Sequence, residues 1–188
     1  MSNNERHAIT TGIWLSVFML SFIPWLTACA NTTSSWPFEV QQAGNKVEIE
    51  YQAVEHRGYF FNLRLMYKEG DQEDRARVRK LAGSYEKDKN GKLIEPGTPI
   101  ELKFKIYTID SAGERPMLEQ KFSVLGLTSW GGDSFDRQIA MVILKPGRYR
   151  ISVESLKDAP ELVGTPVIFS IGIDAKSTPI ESKGPDSH

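Results

Sequence analysis

The sequence predicts an all-β domain: an antiparallel sandwich of about seven to eight strands with one short helix inserted near residues 71–83. Three observations carry this. Apolar and polar residues alternate with period two through most of residues 36–175, and Pro, Gly and Asn punctuate the runs. A single stretch switches to helical spacing. The composition agrees: of 188 residues, 40% are hydrophobic, 25% charged and 10% aromatic. That profile excludes a wholly disordered chain, a collagen-like repeat and a multi-span membrane protein.

In order along the chain, Lys46–Ala53 places Val47, Ile49, Tyr51 and Ala53 on one face and polar residues on the other, the pattern of a half-buried strand. Tyr59, Phe61, Leu63, Leu65 and Tyr67 form a second inward row, and Ile100, Leu102, Phe104 and Ile106 a third. Leu118–Val124 predicts a fourth strand. Gln138–Leu144 is almost wholly apolar, as expected of a central strand covered on both faces. Tyr149–Val153 and Val167–Ile173 complete the series, and Phe38–Val40 is a candidate edge strand. Asp71–Gly83 opens with a capping Asp and acidic residues, continues with basic ones and ends at Gly, which predicts the helix. Val78, Leu81 and Ala82 share its apolar face. Ser84–Gly97 is a polar excursion with an Asn90-Gly91 turn signal.

The N-terminus reads as an address. Ile13–Leu26 is an apolar run, shorter than the ~20 residues of a membrane span and of the right length for the core of a signal peptide. Leu26-Thr27-Ala28-Cys29 follows it and resembles the lipobox of bacterial lipoprotein precursors. Glu5 offsets Arg6, so the leader carries less positive charge than is usual. The resemblance implies cleavage before Cys29, with a diacylglycerol on its sulfur and an acyl chain on its amine, and two or more chains anchor stably. No other cofactor is expected. With Ala30 after the Cys, the resemblance implies the outer membrane with the domain facing the periplasm; the inner membrane and the cell surface are the alternatives. The expected organisation is a cleaved leader (1–28), a lipidated Cys and tether (29–35), the sandwich (36–175) and a disordered tail (176–188).

Leu144-Lys145-Pro146-Gly147-Arg148-Tyr149 joins two strands through a Pro-Gly turn and sets a Tyr just inside the second. It is similar to the tyrosine corner of immunoglobulin-like and fibronectin-type-III sandwiches, which implies that the Tyr149 hydroxyl bonds back across the turn. Trp36–Val40, Tyr59–Leu65 and Leu144–Val153 also resemble segments of a group of small Gram-negative lipoproteins with one sandwich domain, for which no chemistry is established.

Signals for chemistry are sparse. The 23 basic and 24 acidic residues nearly cancel, so no nucleic-acid footprint is visible. The single Cys excludes a disulfide framework, and with only three His no metal centre is expected. His56 lies in a turn and suits a solvated residue better than a catalytic base. Asp133 and Asp136 are accounted for by a turn and the start of a strand. Enzymatic activity is therefore not expected.

Recognition suits the scaffold better, because loops at the ends of a sandwich vary without harming the core. Two surfaces are candidates. One is the Thr128–Phe135 loop, with Trp130, Asp133 and Phe135. The other is the helix face of Arg75, Arg79 and Lys80. The expected role is a membrane-anchored, protein-binding lipoprotein, an immunity protein against a periplasmic toxin being one setting. An accessory component of an envelope or secretion assembly, or a module binding carbohydrate or another small ligand, are the alternatives.

Overall fold

The computed structural model describes residues 33–123 and 125–173, all within the compact unit Asn31–His188. The leader, Cys29 and the tail lie outside the described residues. Among the described residues no helix is long and apolar enough to cross a membrane.

Nine strands, β1 (Ser34–Pro37), β2 (Lys46–Ala53), β3 (Arg57–Met66), β4 (Leu102–Asp110), β5 (Gly113–Phe122), β6 (Leu127–Trp130), β7 (Ser134–Leu144), β8 (Gly147–Ser155) and β9 (Val167–Ile173), form two antiparallel sheets. Their orders are β1-β9-β3-β7-β6 and β2-β8-β4-β5. The sheets pack face to face as a β-sandwich. The inward row of β3 (Tyr59, Phe61, Leu63, Leu65) is fully buried, as are Leu102, Phe104 and Ile106 on β4 and Ile151 and Val153 on β8. Phe61 links the layers, its ring centroid 4.9 Å from that of Phe104 and 6.4 Å from that of Phe169. Each such side chain contributes about 1.5–3 kcal/mol of hydrophobic stabilisation.

Several elements differ from the sequence expectation, each for a physical reason. The N-terminal edge strand is β1, not Phe38–Val40; Phe38 and Val40 are buried where the chain passes from one sheet to the other. Pro37 is tolerated because it sits on an edge. β5 begins at Gly113, earlier than Leu118. Its Pro116 hides the strand in the sequence, yet fits an edge whose register shifts opposite Ile106 and Tyr107. β7 is not covered on both faces: Met141 and Ile143 are 53% and 50% exposed. A bulge at Ile139, which has no partner between the Phe61–Ala140 and Asn62–Gln138 pairs, switches the inward parity midway. Apolar residues thus fall on both parities of a strand with only one buried face.

At one end of the sandwich, where β2 passes to β3 and β7 to β8, two tyrosines staple the crossovers. Tyr149 donates its hydroxyl to the Lys145 carbonyl at 2.8 Å, and Tyr59 donates to the Glu55 carbonyl at 3.1 Å. Tyr51 meets Tyr59 edge-on at 5.8 Å. Burial, with Tyr59 adjacent, pushes the Tyr51 phenol up to about 12, and burial also raises Tyr149.

The helix, α1 (Gln72–Ala82), lies at the other end, between β3 and β4 in sequence and against β7 and β3 in space. Asp71 caps it by accepting from the amides of Glu73 and Asp74, and Gly83 closes it with φ of 80°. Val78 and Ala82 are buried beneath it. Segment 84–98 then folds back against the helix C-terminus. Ser84 N–H donates to the Glu95 carbonyl and Thr98 N–H to the Leu81 carbonyl. Gly83 and Gly97 permit this approach: a Cβ on either would come within 2.5 Å of a backbone oxygen of the other segment.

Candidate functional site

The insertion is pinned by a residue that sequence reasoning did not single out. Arg137, inward on β7, is fully buried and has no carboxylate partner among the described residues. Its Nε donates to the Leu125 carbonyl at 2.7 Å, and one Nη donates to the same oxygen. The remaining donors reach the carbonyls of Thr98 (2.6 Å) and Pro96 (3.1 Å), with Leu81 at the limit of contact (3.5 Å). Burial pulls the guanidinium down to about 10, so it stays charged at neutral pH. One cation thus ties the helix C-terminus, the 84–98 segment and the β5–β6 connection together by main-chain oxygens alone.

This pin sets Tyr85 against Trp130. The two rings stack at 6.2 Å with an interplanar angle of 21°, and both are more than half exposed (57% and 58%). They form a ridge between two basins. One, of about 460 Å³, is lined by Gln72, Arg75, Ala76, Arg79, Phe135 and the ridge itself. The other, of about 720 Å³, lies on the far side of Tyr85 and includes Lys87, Lys92, Leu93, Leu127 and Gln138.

The two surfaces expected separately from sequence therefore meet in one groove, with Trp130 on one wall and Arg75 and Arg79 on the other. Three expectations are corrected in detail. Thr128–Phe135 is not a free loop: Leu127–Trp130 is an edge strand paired to β7, and the tip is Gly131–Asp133. Phe135 is only 3% exposed and is not a tip residue; it forms the floor under the arginines. Arg75 lies 5.9 Å from the Tyr67 and Phe135 ring centroids, and Arg79 lies 5.8 Å from that of Phe135. Lys80 is exposed but does not line the groove, since it falls outside the helix face made by positions 72, 75, 76 and 79.

Asp133 is exposed at the tip, its carbonyl accepting from the Tyr67 amide at 2.9 Å. Asp136 pairs with Arg64 at 3.1 Å, which accounts for it. Arg77 bonds Asp74 and Thr165 rather than the groove. His56 is half-buried in the β2–β3 turn, at the opposite end of the fold. Among the described residues no group of His, Cys, Asp or Glu is arranged to hold a metal. Tyr85 was missed because a lone aromatic in a polar stretch has no periodic partner; its position after Gly83 was the only signal. The arrangement offers stacking surface and hydrogen-bond donors.

Residues 35–173 match the family model described as a domain of unknown function, DUF5625. None of the curated proteins matches the chain. The fold is similar to that of a protein from Sulfurospirillum deleyianum solved by crystallography. That likeness has a TM-score of 0.65 at 23% identity and covers 78% of this chain and 100% of the other. At that identity the likeness speaks to fold alone.

Proposed function

The chain belongs to the DUF5625 family, and from that premise we propose that it is a lipid-anchored envelope lipoprotein, facing the periplasm, that binds a protein partner through the Tyr85–Trp130 ridge. The observation that carries the reading is the ridge: two large aromatics stacked on each other, both over half exposed, between two concave basins. Solvent-exposed Trp and Tyr rigidly placed beside Arg side chains are the composition of an interface hot spot. Their orientation is fixed before binding by the Arg137 pin, which lowers the ordering cost of association.

The test is affinity capture of the tagged full-length protein from its native host, in parallel with Trp130→Ala and Tyr85→Ala. One stoichiometric partner lost with both variants is expected, and a toxin as that partner identifies an immunity role. Several envelope components lost together identify an assembly role. Captured proteins that all persist with both variants refute the groove, and release of the partner by free sugars favours carbohydrate recognition.

A further inference from the structure

Resting on the proposal that the groove binds protein, we infer that its occupant is an acidic segment of the partner, with carboxylates on both sides of the Tyr85–Trp130 ridge. Most cations on the strands are paired, although Lys121 on β5, and Lys68, Lys80, Lys89 and Lys145 off the strands, make no ion pair among the described residues. Across the sheets, Arg64, Lys103, Lys105, Arg148 and Arg150 each pair with a carboxylate. Around the ridge, Arg75, Arg79, Lys87 and Lys92 make no ion pair among the described residues.

Nor does either basin contain a carboxylate among its lining residues. Three of the acids nearby in sequence are used locally, and Glu73, Glu86 and Glu95 lie outside both basin linings. Asp71 caps the helix, Asp74 accepts from the Lys68 amide and from Arg77, and Asp88 accepts from the amides of Asn90 and Lys92. The two arginines are oriented without being neutralised, because rings hold them. Phe135 lies under both, and Arg75 Nε donates to the Tyr67 hydroxyl at 3.4 Å. Arg79 Nη1 is buried and has no hydrogen-bond partner among the described residues. A buried donor of a charged group without an acceptor is costly, and a small turn of the guanidinium into the basin it lines would let an incoming carboxylate relieve that cost with a charge-assisted bond.

Guanidinium groups favour planar carboxylates, which they grip with two parallel bonds. The stacked rings between the cation pairs suit an apolar or aromatic residue of the same segment. The inferred motif is acidic–aromatic–acidic in extended form, long enough to cross the ridge from Arg79 to Lys87.

The experiment uses full-length protein in phosphatidylcholine nanodiscs and two fluorescent peptides, one alternating Glu with Phe and one alternating Lys with Phe. Anisotropy is read at about 50 and about 300 mM salt. The acidic peptide is expected to bind, to weaken with salt, and to weaken about tenfold in the Arg79→Gln/Lys87→Gln double variant. The basic peptide is expected not to bind. Lys87→Gln/Lys92→Gln, at two exposed side chains, repeats the test where Arg79→Gln lowers the melting temperature. Equal binding of both peptides, no binding of either, or indifference to both double variants overturns the inference. The two readings fail separately: native partner capture that is lost with Trp130→Ala but unchanged in the charge variants leaves the groove standing and removes the acidic occupant, whereas capture that persists with Trp130→Ala and Tyr85→Ala removes the groove itself.

Discussion

Replacing Arg137 with Met keeps the unbranched stem out to the position of Nε and removes every donor. Two carbonyls that Arg137 serves in buried contacts, Leu125 and Thr98, lose that partner, and Pro96 loses a partly buried one. Leu81 still accepts from the Thr98 amide at 2.9 Å, so its loss counts little. Two buried acceptors at about 1–3 kcal/mol each give ~2–6 kcal/mol. Relief from burying an uncompensated charge returns part of that, leaving an expected loss of about 3 kcal/mol. For a domain of this size, thermal unfolding should shift down by about 10 °C. Hydrogen exchange supplies the local readout: the amides of Ser84 and Thr98, which bond across the insertion, should lose protection before the amides of β3 do. A melting temperature within about 2 °C of wild type, with Ser84 and Thr98 still protected, would refute the claim that one cation holds the insertion.

Other expectations follow from separate parts of the molecule. Tyr149→Phe leaves the Lys145 carbonyl without its 2.8 Å donor and should cost about 1 kcal/mol by chemical denaturation; an unchanged midpoint argues against the staple. The Tyr51 phenol titrates near 12 in the fold against an ordinary value near 10, so the folded state holds that proton longer than the unfolded chain does. Stability should therefore be intact below pH 10 and fall between about pH 10 and 12. Tyr51→Phe should flatten that fall, as read by unfolding at stepped pH alongside phenolate absorbance. Cys29→Ser should move the protein from the membrane to the soluble fraction; unchanged fractionation removes the lipid anchor from the proposed function.

The strands with one buried face and no irregularity were legible from residue order: Lys46–Ala53 and Val167–Ile173 coincide with β2 and β9. So was the helix, because Asp71 and Gly83 are chemically committed to its two ends. The misreadings have a common origin in bulges and edges. Ile139 changes the inward parity of β7, and Pro116 sits in an edge strand where its missing amide is harmless. Of the groove, Trp130, Arg75 and Arg79 were visible as residue types. Their meeting was not, because it depends on the 84–98 segment folding back and on Arg137 inside the molecule. A basic residue within a strand pattern reads as outward-facing, and only three-dimensional counting of carbonyls shows that it belongs inside.

The Arg137 clamp has a consequence for how relatives of this chain diverge. Its acceptors are main-chain oxygens, which every amino acid supplies, so the side chains at positions 81, 96, 98 and 125 are free of the clamp's demands. Substitutions between residues 85 and 95 can reshape the walls around Tyr85 while the anchoring geometry stays put. Insertions or deletions there are another matter, since they would carry the oxygens out of register. The prediction is a hypervariable but length-restricted segment on an invariant arginine, the arrangement by which a rigid body changes what it recognises without relearning how to fold.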